Sequence, residues 1–363
     1  MRWKRRSTRS RSVSGGRRRH LRLDIPRRTH HFQSVGLPDI IIPYSKAENG
    51  FLDCGDVAAY AVAYVRPETN NVMYERAILA GLRAHGKIIY CANIPGKVFL
   101  QDSILENHYP TQFRLARDPR RELARFPEIR KRVEEHFRLS FANARLIGSF
   151  EAVHDLGVSE EELFETIVPP SDYLGCWGQS FKRLAGAIVV NPNLPAIVKR
   201  HAPPANVFAV VVSAQRHDGP FFERVNEAVF KEITSRSETP VIDGEKLDSL
   251  VWSEKIRRTY HLSSNHLMAM LDMPDYVYTA GGARLDPADT PLGRWILVNT
   301  ALTPSRLRTL KSSPLVRRRD STLLYLPGAG RGLNLDQIKA MMAELPLSSV
   351  GDGQGTTPEV VPG

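Results

Sequence analysis

The segment that decides the fold spans residues 60–92 and reads YAVAYVRPETNNVMYERAILAGLRAHGKIIYCA. Its first six residues, Tyr60–Val65, are apolar and rich in aromatic and β-branched side chains, which predicts a buried strand. After a polar turn, the apolar spacing over Val72–His85 predicts a helix. We expect that helix to end at Gly86 in a left-handed cap, and Lys87–Ala92 to form a return strand. The segment is therefore typical of a βαβ unit.

The same alternation recurs further along the chain. Val207–Ser213 predicts a strand, and Phe221–Ser235 predicts the helix that follows it. Shorter strands are predicted at Ile40–Ile42, Ala187–Val190, Thr239–Ile242, Asp275–Thr279, Arg294–Asn299 and Thr322–Leu326. Other helices are predicted across Pro119–Phe141, where Pro127 should kink or split the helix, after Ser159 with Glu162 in a capping box, after Thr303, and after Asn334. The pattern predicts an α/β fold, with a mixed sheet built from βα units and flanked by helices.

The chain divides into a globular body and two tails. Residues 1–31 are rich in Arg and Ser, and residues 347–363 are rich in Gly, Pro and Thr. Because such segments bury too little apolar surface to offset their ordering entropy, we expect both to be disordered. Pro169-Pro170 should break the chain between two α/β subdomains, residues 36–168 and 171–346.

The positive charge is concentrated in the first tail. The whole chain carries a formal net charge of +11, and residues 1–31 alone contain twelve Arg or Lys and one acid. Residues 32–363 are therefore balanced, and the basic character of the chain does not describe its body. Four interpretations of the tail stay open: an organelle transit peptide, an arm that binds RNA or DNA phosphates, sequence upstream of the true start codon, or a solvated tail.

Several classes of protein are disfavoured by composition. The three cysteines, Cys54, Cys91 and Cys176, form no Cys-x-x-Cys pair, which disfavours a disulfide framework and favours a reducing compartment. No apolar run approaches the length needed to cross a bilayer. We therefore expect a cytoplasmic protein that makes no membrane contact, or a mitochondrial matrix protein if the tail is a transit peptide. The sequence indicates neither a cofactor nor an oligomeric state.

Loops at the ends of predicted strands are the first places to look for chemistry, because open α/β sheets bind ligands beyond the carboxyl ends of their strands. Arg66 follows the first strand and could clamp a phosphate or carboxylate. Gly281 and Gly282 would let backbone amides approach an anion, with Arg284 supplying charge. We predict that these four residues bind ligand.

A further loop follows the strand at 207–213. It contains Arg216, a candidate anion-binding residue, and His217, a candidate acid–base catalyst that titrates near neutral pH. We predict ligand binding for Arg216 and catalysis for His217.

Three motif-like patterns do not meet their requirements. Gly328–Gly332 imitates a dinucleotide-binding loop but places its third Gly one position early. Gly175-Cys176-Trp177 lacks the upstream Cys of papain-like proteases. His261 and His266 are five residues apart, which is wrong for two metal ligands on one helix face. We assign no metal site.

Residues 60–108 resemble the opening of the nucleoside diphosphate kinase family. That family begins with a strand ending in Lys-Pro-Asp/Glu, then a helix, then a strand starting Lys-Ile; this chain has Arg66-Pro67-Glu68 and Lys87-Ile88. The resemblance implies phosphoryl transfer through a His in an Asn-x-x-His-Gly-Ser context. The nearest candidate is His154, which has neither that Asn nor that Gly-Ser.

Together these observations favour an α/β enzyme, or an enzyme-derived domain, that acts on an anionic small molecule of a phosphorylated or nucleotide-like kind. The alternative is a non-catalytic protein that associates with nucleic acid or a ribonucleoprotein through residues 1–31. A structural subunit with a partner interface is a third interpretation.

Overall fold

The computed structural model describes residues 37–44, 59–214, 221–237 and 256–346, and the backbone of residues 241–242 and 245–246. Its strands are β1 (Asp39–Ile42), β2 (Ala59–Val65), β3 (Lys87–Pro95), β4 (Leu146–Gly148), β5 (Tyr173–Cys176), β6 (Gln179–Leu184), β7 (Ala187–Val190), β8 (Asn206–Ala214), β9 (Val241–Ile242), β10 (Glu245–Lys246), β11 (Tyr260–Leu262), β12 (Leu315–Arg317) and β13 (Leu323–Tyr325). Its helices are α1 (Val72–Arg83), α2 (Gly96–Gln101), α3 (Ile104–His108), α4 (Pro110–Arg117), α5 (Pro119–Arg125), α6 (Pro127–Phe137), α7 (Ser149–Asp155), α8 (Glu160–Glu165), α9 (Leu194–His201), α10 (Phe221–Arg236), α11 (His266–Tyr276), α12 (Pro291–Asn299), α13 (Pro304–Ser312), α14 (Leu326–Ala329) and α15 (Leu335–Ala343). The predicted α/β class is confirmed.

The central sheet has five strands in the order β1-β3-β8-β2-β11. Every neighbouring pair in it is antiparallel. The strands β2 and β3, which α1 connects, therefore run parallel to each other with β8 inserted between them. This is the split β-α-β connectivity of ferredoxin-like sheets.

Helices cover both faces of this sheet. Alternate residues of β2 point to opposite faces. Ala61, Ala63 and Val65 face α1 and α10, where a buried cluster includes Leu82 and Val229. The other face carries Tyr60, Val62 and Tyr64, which pack with Phe99 of α2 and Tyr276 of α11. The second face matters most here, because polar groups collect on it.

A second sheet lies in the long connection between β3 and β8, with strand order β4-β7-β6-β5. It is mixed, since β4 and β7 are parallel whereas the other pairs are antiparallel. Both larger sheets take strands from either side of residues 169–170, so a cut at the predicted boundary would sever backbone hydrogen bonds in each of them.

Local signals placed the starts of several helices correctly. Pro127 splits the predicted helix 119–141 into α5 and α6. Ser159 and Glu162 form the predicted capping box of α8. Asn334 caps α15 by accepting a hydrogen bond from the backbone N–H of Gln337 at 2.9 Å. These signals worked because a cap satisfies backbone donors within a few residues of itself.

Two predicted strands are wrong. The predicted strand 275–279 begins inside α11, because Asp275 lies in the last turn of that helix. Its remaining residues form only an isolated bridge, between Tyr278 and Arg284. Residues 294–299 belong to α12, which starts after Thr290 with the Thr290 hydroxyl accepting from the Gly293 N–H at 3.0 Å. A short apolar run is compatible with a buried helix as well as a strand, and here the cap decides.

Gly86 also has a different role from the predicted left-handed cap, because it is not among the residues with positive φ. A Cβ atom at Gly86 would clash with the Ser213 carbonyl oxygen and lie 2.8 Å from Val212 Cγ2. Glycine is needed there because the turn after α1 approaches β8 closely.

The tails at 1–31 and 347–363 lie outside the described residues, so the interpretations of both stay predictions. Among the helices that the structure describes, none combines the length and the apolar character required to cross a membrane.

Candidate functional site

The sequence-predicted site residues lie in different parts of the structure. Arg66 follows β2 at the edge of the central sheet. His154 is exposed in the last turn of α7, where its charge acts on Glu160 of α8. Arg216 and His217 lie in residues 215–220, outside the described part of the chain. No hydrogen bond or ion pair joins His154 to Arg66 in the described part of the chain.

The glycine turn serves to direct Arg284. Gly282 adopts φ +79°, and its N–H donates to the Thr279 carbonyl at 2.9 Å. The returning Arg284 donates to the carbonyls of Pro274 and Asp102, and to Asp275 Oδ1, each at 3.0 Å. Its guanidinium is thus engaged within the protein. The predicted ligand role of Gly281, Gly282 and Arg284 stays a prediction, and this engagement favours a positioning role for Arg284.

A buried polar cluster lies between α3, β11 and α11. The ring nitrogen Nε2 of His261 lies 2.9 Å from Asp272 Oδ2, and the hydroxyl of Ser263 donates to the same oxygen at 2.7 Å. His108 Nδ1 lies 3.1 Å from Asp275 Oδ2 and 3.6 Å from Asp272 Oδ1. Two histidines and two carboxylates therefore face one another in the interior.

The local fold explains why these residues meet. Asn265 caps α11 by accepting from the Met268 N–H at 2.9 Å, which fixes where the helix begins. Asp272 and Asp275 are three residues apart, so they share one face of that helix. His261 stands opposite Tyr64 in the pairing of β11 with β2, and its ring stacks on the Tyr64 ring at 4.8 Å. The face of α11 that carries Asp272 and Asp275 therefore packs against the face of the sheet that carries His261.

Burial sets the protonation of the central pair. Desolvation lowers the pKa of His261, which keeps the ring neutral. Burial of Asp272 acts to raise the pKa of its carboxyl, but His261, His108 and Ser263 outweigh burial and lower it. Because a carboxylate can only accept, Nε2 of His261 donates and Nδ1 keeps its lone pair.

Two cations neutralise the second carboxylate. The side chain of Asp275 is fully buried, and it pairs with Arg284 and with Lys311 of α13. Lys311 Nζ also donates to the Asn107 carbonyl at 2.9 Å. Asp275 is therefore satisfied even without His108.

Tyrosines wall this cluster. Tyr276 lies 4.6 Å from Tyr64 between ring centroids, and His108 contacts Tyr109 edge-on at 4.3 Å. Burial raises the pKa of Tyr64, Tyr109 and Tyr276, so their hydroxyls stay protonated. The rings exclude water, and the exclusion of water strengthens electrostatic interactions inside.

Arg66 adds a positive charge at the rim of the cluster. It is two residues beyond Tyr64 on the same sheet face as His261, and its positive charge contributes to lowering the pKa of His261. The Arg66 backbone N–H donates to the Thr259 carbonyl at 3.0 Å. Its half-buried guanidinium makes no hydrogen bond or ion pair with the described residues. A guanidinium in that situation is suited to an anion.

His201 of α9 is a further buried histidine near Arg66. Its Nδ1 lies 2.8 Å from the Ile197 carbonyl, and its ring packs on Phe99 at 5.0 Å. Burial lowers the pKa of His201 to about 4, so the ring is neutral at ordinary pH.

His108, His201, Asp272 and Asp275 escaped the sequence analysis, and His261 was considered only together with His266. His266 instead packs edge-on against Phe222 at 4.8 Å. One signal was present: His261-Leu262-Ser263 has the His and the Ser, though not the Gly, of a His-Gly-Ser pattern.

Comparison with family models, curated proteins and solved structures finds no match to this chain.

Proposed function

We propose that this chain binds a phosphorylated, nucleotide-like ligand beside Arg66 and that His261 accepts its phosphoryl group. The observation that carries the proposal is the hydrogen bond from His261 Nε2 to Asp272. It fixes the tautomer, so that the lone pair on Nδ1 is available as a nucleophile. This replaces His154, the phosphoacceptor predicted from sequence, because His154 is exposed and has no comparable partner among the described residues.

The charges around His261 suit this reaction. Arg66 would pair with the phosphate oxygens of the ligand and stabilise the charge that develops on them during transfer. Asp272 would stabilise the positive charge that the imidazole acquires when Nδ1 bonds to phosphorus. Ser263 supports this role because it donates to the same carboxylate oxygen.

The atoms of the step balance without a further reactant. Nδ1 of His261 forms a bond to phosphorus while the bond from phosphorus to the leaving oxygen breaks. The leaving diphosphate keeps that electron pair. The proton stays on Nε2, where it is hydrogen-bonded to Asp272. A second ligand oxygen would then remove the phosphoryl group by the reverse step.

The resemblance of residues 60–108 to the nucleoside diphosphate kinases supports the same chemistry. Arg66 stands at the position of the family Lys, and His261 with Ser263 matches two residues of the His-Gly-Ser context. Leu262 stands in place of the Gly.

The experiment is phosphoryl labelling with ATP that carries the radiolabel at the γ-phosphate. Wild type should acquire an acid-labile, base-stable label, as expected of phosphohistidine. His261→Gln should lose the label, and Arg66→Ala should reduce it roughly 10-fold or more, the equivalent of one charge-assisted hydrogen bond. His154→Gln is the matched control and should label normally.

Absence of label on wild type with ATP and with GTP, together with no shift of its melting temperature by either nucleotide, would refute the proposal. A label that persists in His261→Gln but disappears in His154→Gln would return the role to His154.

A further inference from the structure

Two residues of the proposed phosphoryl transfer, His261 and Asp272, also form a metal-type donor set with His108, which that transfer does not use. His108, His261 and Asp272 each offer one ligand atom, and these three atoms all lie within 4.8 Å of one another. They come from three elements, α3, β11 and α11. Helix α11 packs against α3 and against β2, the strand that pairs with β11. Convergence of two imidazoles and a carboxylate is the pattern of a metal site with one open position.

The distances are close to those that a metal would impose. Zinc bonds of roughly 2.0 Å to nitrogen and oxygen in a tetrahedron place the ligand atoms roughly 3.3 Å apart. Here Nε2 of His261 is 2.9 Å from Asp272 Oδ2, and Nδ1 of His108 is 3.6 Å from the other carboxylate oxygen, Oδ1. One Asp272 oxygen would serve both histidines after small side-chain rotations, within a set of ligand atoms that already lie within 4.8 Å of one another.

The surroundings would hold the ligands in place when the metal enters. Ser263 donates to Asp272 and fixes that carboxylate, as partners of metal ligands commonly do. Asp275 keeps Arg284 and Lys311 as partners if His108 turns to the metal. The charges of Arg284 and Lys311 balance those of Asp272 and Asp275, and Arg66 adds one positive charge at the rim. A bound Zn²⁺ would therefore keep positive charge at its open position, where water or an anion binds.

We propose that His108, His261 and Asp272 bind Zn²⁺. Neutral imidazole and carboxylate ligands favour zinc over Mg²⁺ or Ca²⁺, which prefer oxygen donors. The metal takes the Nε2 lone pair of His261, so the ring proton moves to Nδ1. Zinc loading and phosphoryl acceptance are consequently alternative states of His261. The zinc site does not rest on the proposed function, since its ligands are defined without any nucleotide.

Zinc titration of the full-length chain tests this inference. The protein is stripped with a chelator and titrated with ZnCl₂ by calorimetry, without nucleotide. Histidines elsewhere can also hold zinc, so the readout is the difference between wild type and variants. We expect His108→Ala and Asp272→Asn each to weaken one site about 10-fold or more, and His154→Ala, a control on the surface, to leave it unchanged.

Identical titrations of wild type, His108→Ala and Asp272→Asn would overturn the proposal. X-ray absorption of zinc-loaded wild type keeps the test valid if the variants do not fold. Two imidazole ligands and one carboxylate are expected, whereas thiolate ligands or a shell of water alone would contradict the assignment. Because neither measurement uses nucleotide, a failure here is distinct from a failure of phosphoryl labelling.

Discussion

The ion cluster at Asp275 offers a sharp test of the interior, through the substitution Asp275→Asn. This change keeps the size of the side chain and removes its charge. Asp275 is fully buried, while Lys311 and Arg284 are 12% and 27% exposed as side chains. Removal of the carboxylate therefore leaves two largely buried cations without their counter-ion.

The magnitude follows from what the two cations retain. Breaking a buried ion pair by removing one partner costs about 3–5 kcal/mol. Lys311 still donates to the Asn107 carbonyl, and Arg284 to the carbonyls of Pro274 and Asp102. The lower end applies, and we expect a loss of about 3 kcal/mol in the free energy of unfolding. In a chain of this size that lowers the melting temperature by roughly 4 °C.

Urea denaturation followed by circular dichroism measures this loss. The matched control is Glu106→Gln, which breaks the pair with Arg117 on the surface, where the side chains are 44% and 56% exposed. Exposed pairs are worth at most about 1 kcal/mol. If Asp275→Asn destabilises no more than Glu106→Gln, then the buried cluster does not stabilise the fold and the reasoning fails.

Three further changes test separate parts of the structure. Gly86→Ala forces a Cβ against the Ser213 carbonyl and should cost about 1–3 kcal/mol in urea denaturation, whereas Gly175→Ala, whose nearest atoms would be 3.8 Å away, should cost less. Asn334→Ala removes the cap of α15 and should lower the free energy of unfolding by about 1 kcal/mol. An unchanged urea midpoint would show that the cap does not stabilise the fold. His201 has a folded pKa of about 4, below its ordinary value, so its contribution is complete above pH 6.5 and is lost as pH falls from 6.5 to about 4. As pH falls through that window, the free energy of unfolding should drop by up to roughly 3 kcal/mol more in wild type than in His201→Gln. Parallel plots of that free energy against pH would contradict this.

Local sequence signals predicted the elements but not their partners. The pattern of residues 60–92 predicted β2, α1 and β3 almost at their observed bounds, because periodicity and capping act within a few residues. That β8 separates β2 from β3 depends on the pairing of Val62 with Val211 and of Cys91 with Val210. Such pairings join residues more than 100 positions apart, and no local pattern encodes them.

The errors at residues 275–279 and 294–299 share a cause. Residues 275–278 are buried, whereas within 294–299 Trp295 and Ile296 are buried and Val298 is 76% exposed. Both runs are nevertheless too short to carry a period that separates a helix from a strand. Asn265 and Thr290, which cap the two helices, were the informative residues. Each cap lies several residues before the misread run.

The partial prediction of the candidate site follows from the direction of the strands. The rule that ligands lie beyond the carboxyl ends of strands singled out Arg66, at the end of β2. In an antiparallel pair, the carboxyl end of one strand lies beside the amino end of its neighbour. The Arg66 N–H accordingly bonds to Thr259, just before β11, and His261 follows inside that strand. A rule derived from parallel sheets therefore identifies Arg66 but not His261, although both lie at the same edge of the sheet. In a split β-α-β sheet, the first residues of the strand next to β2 need to be searched together with the loop that follows β2.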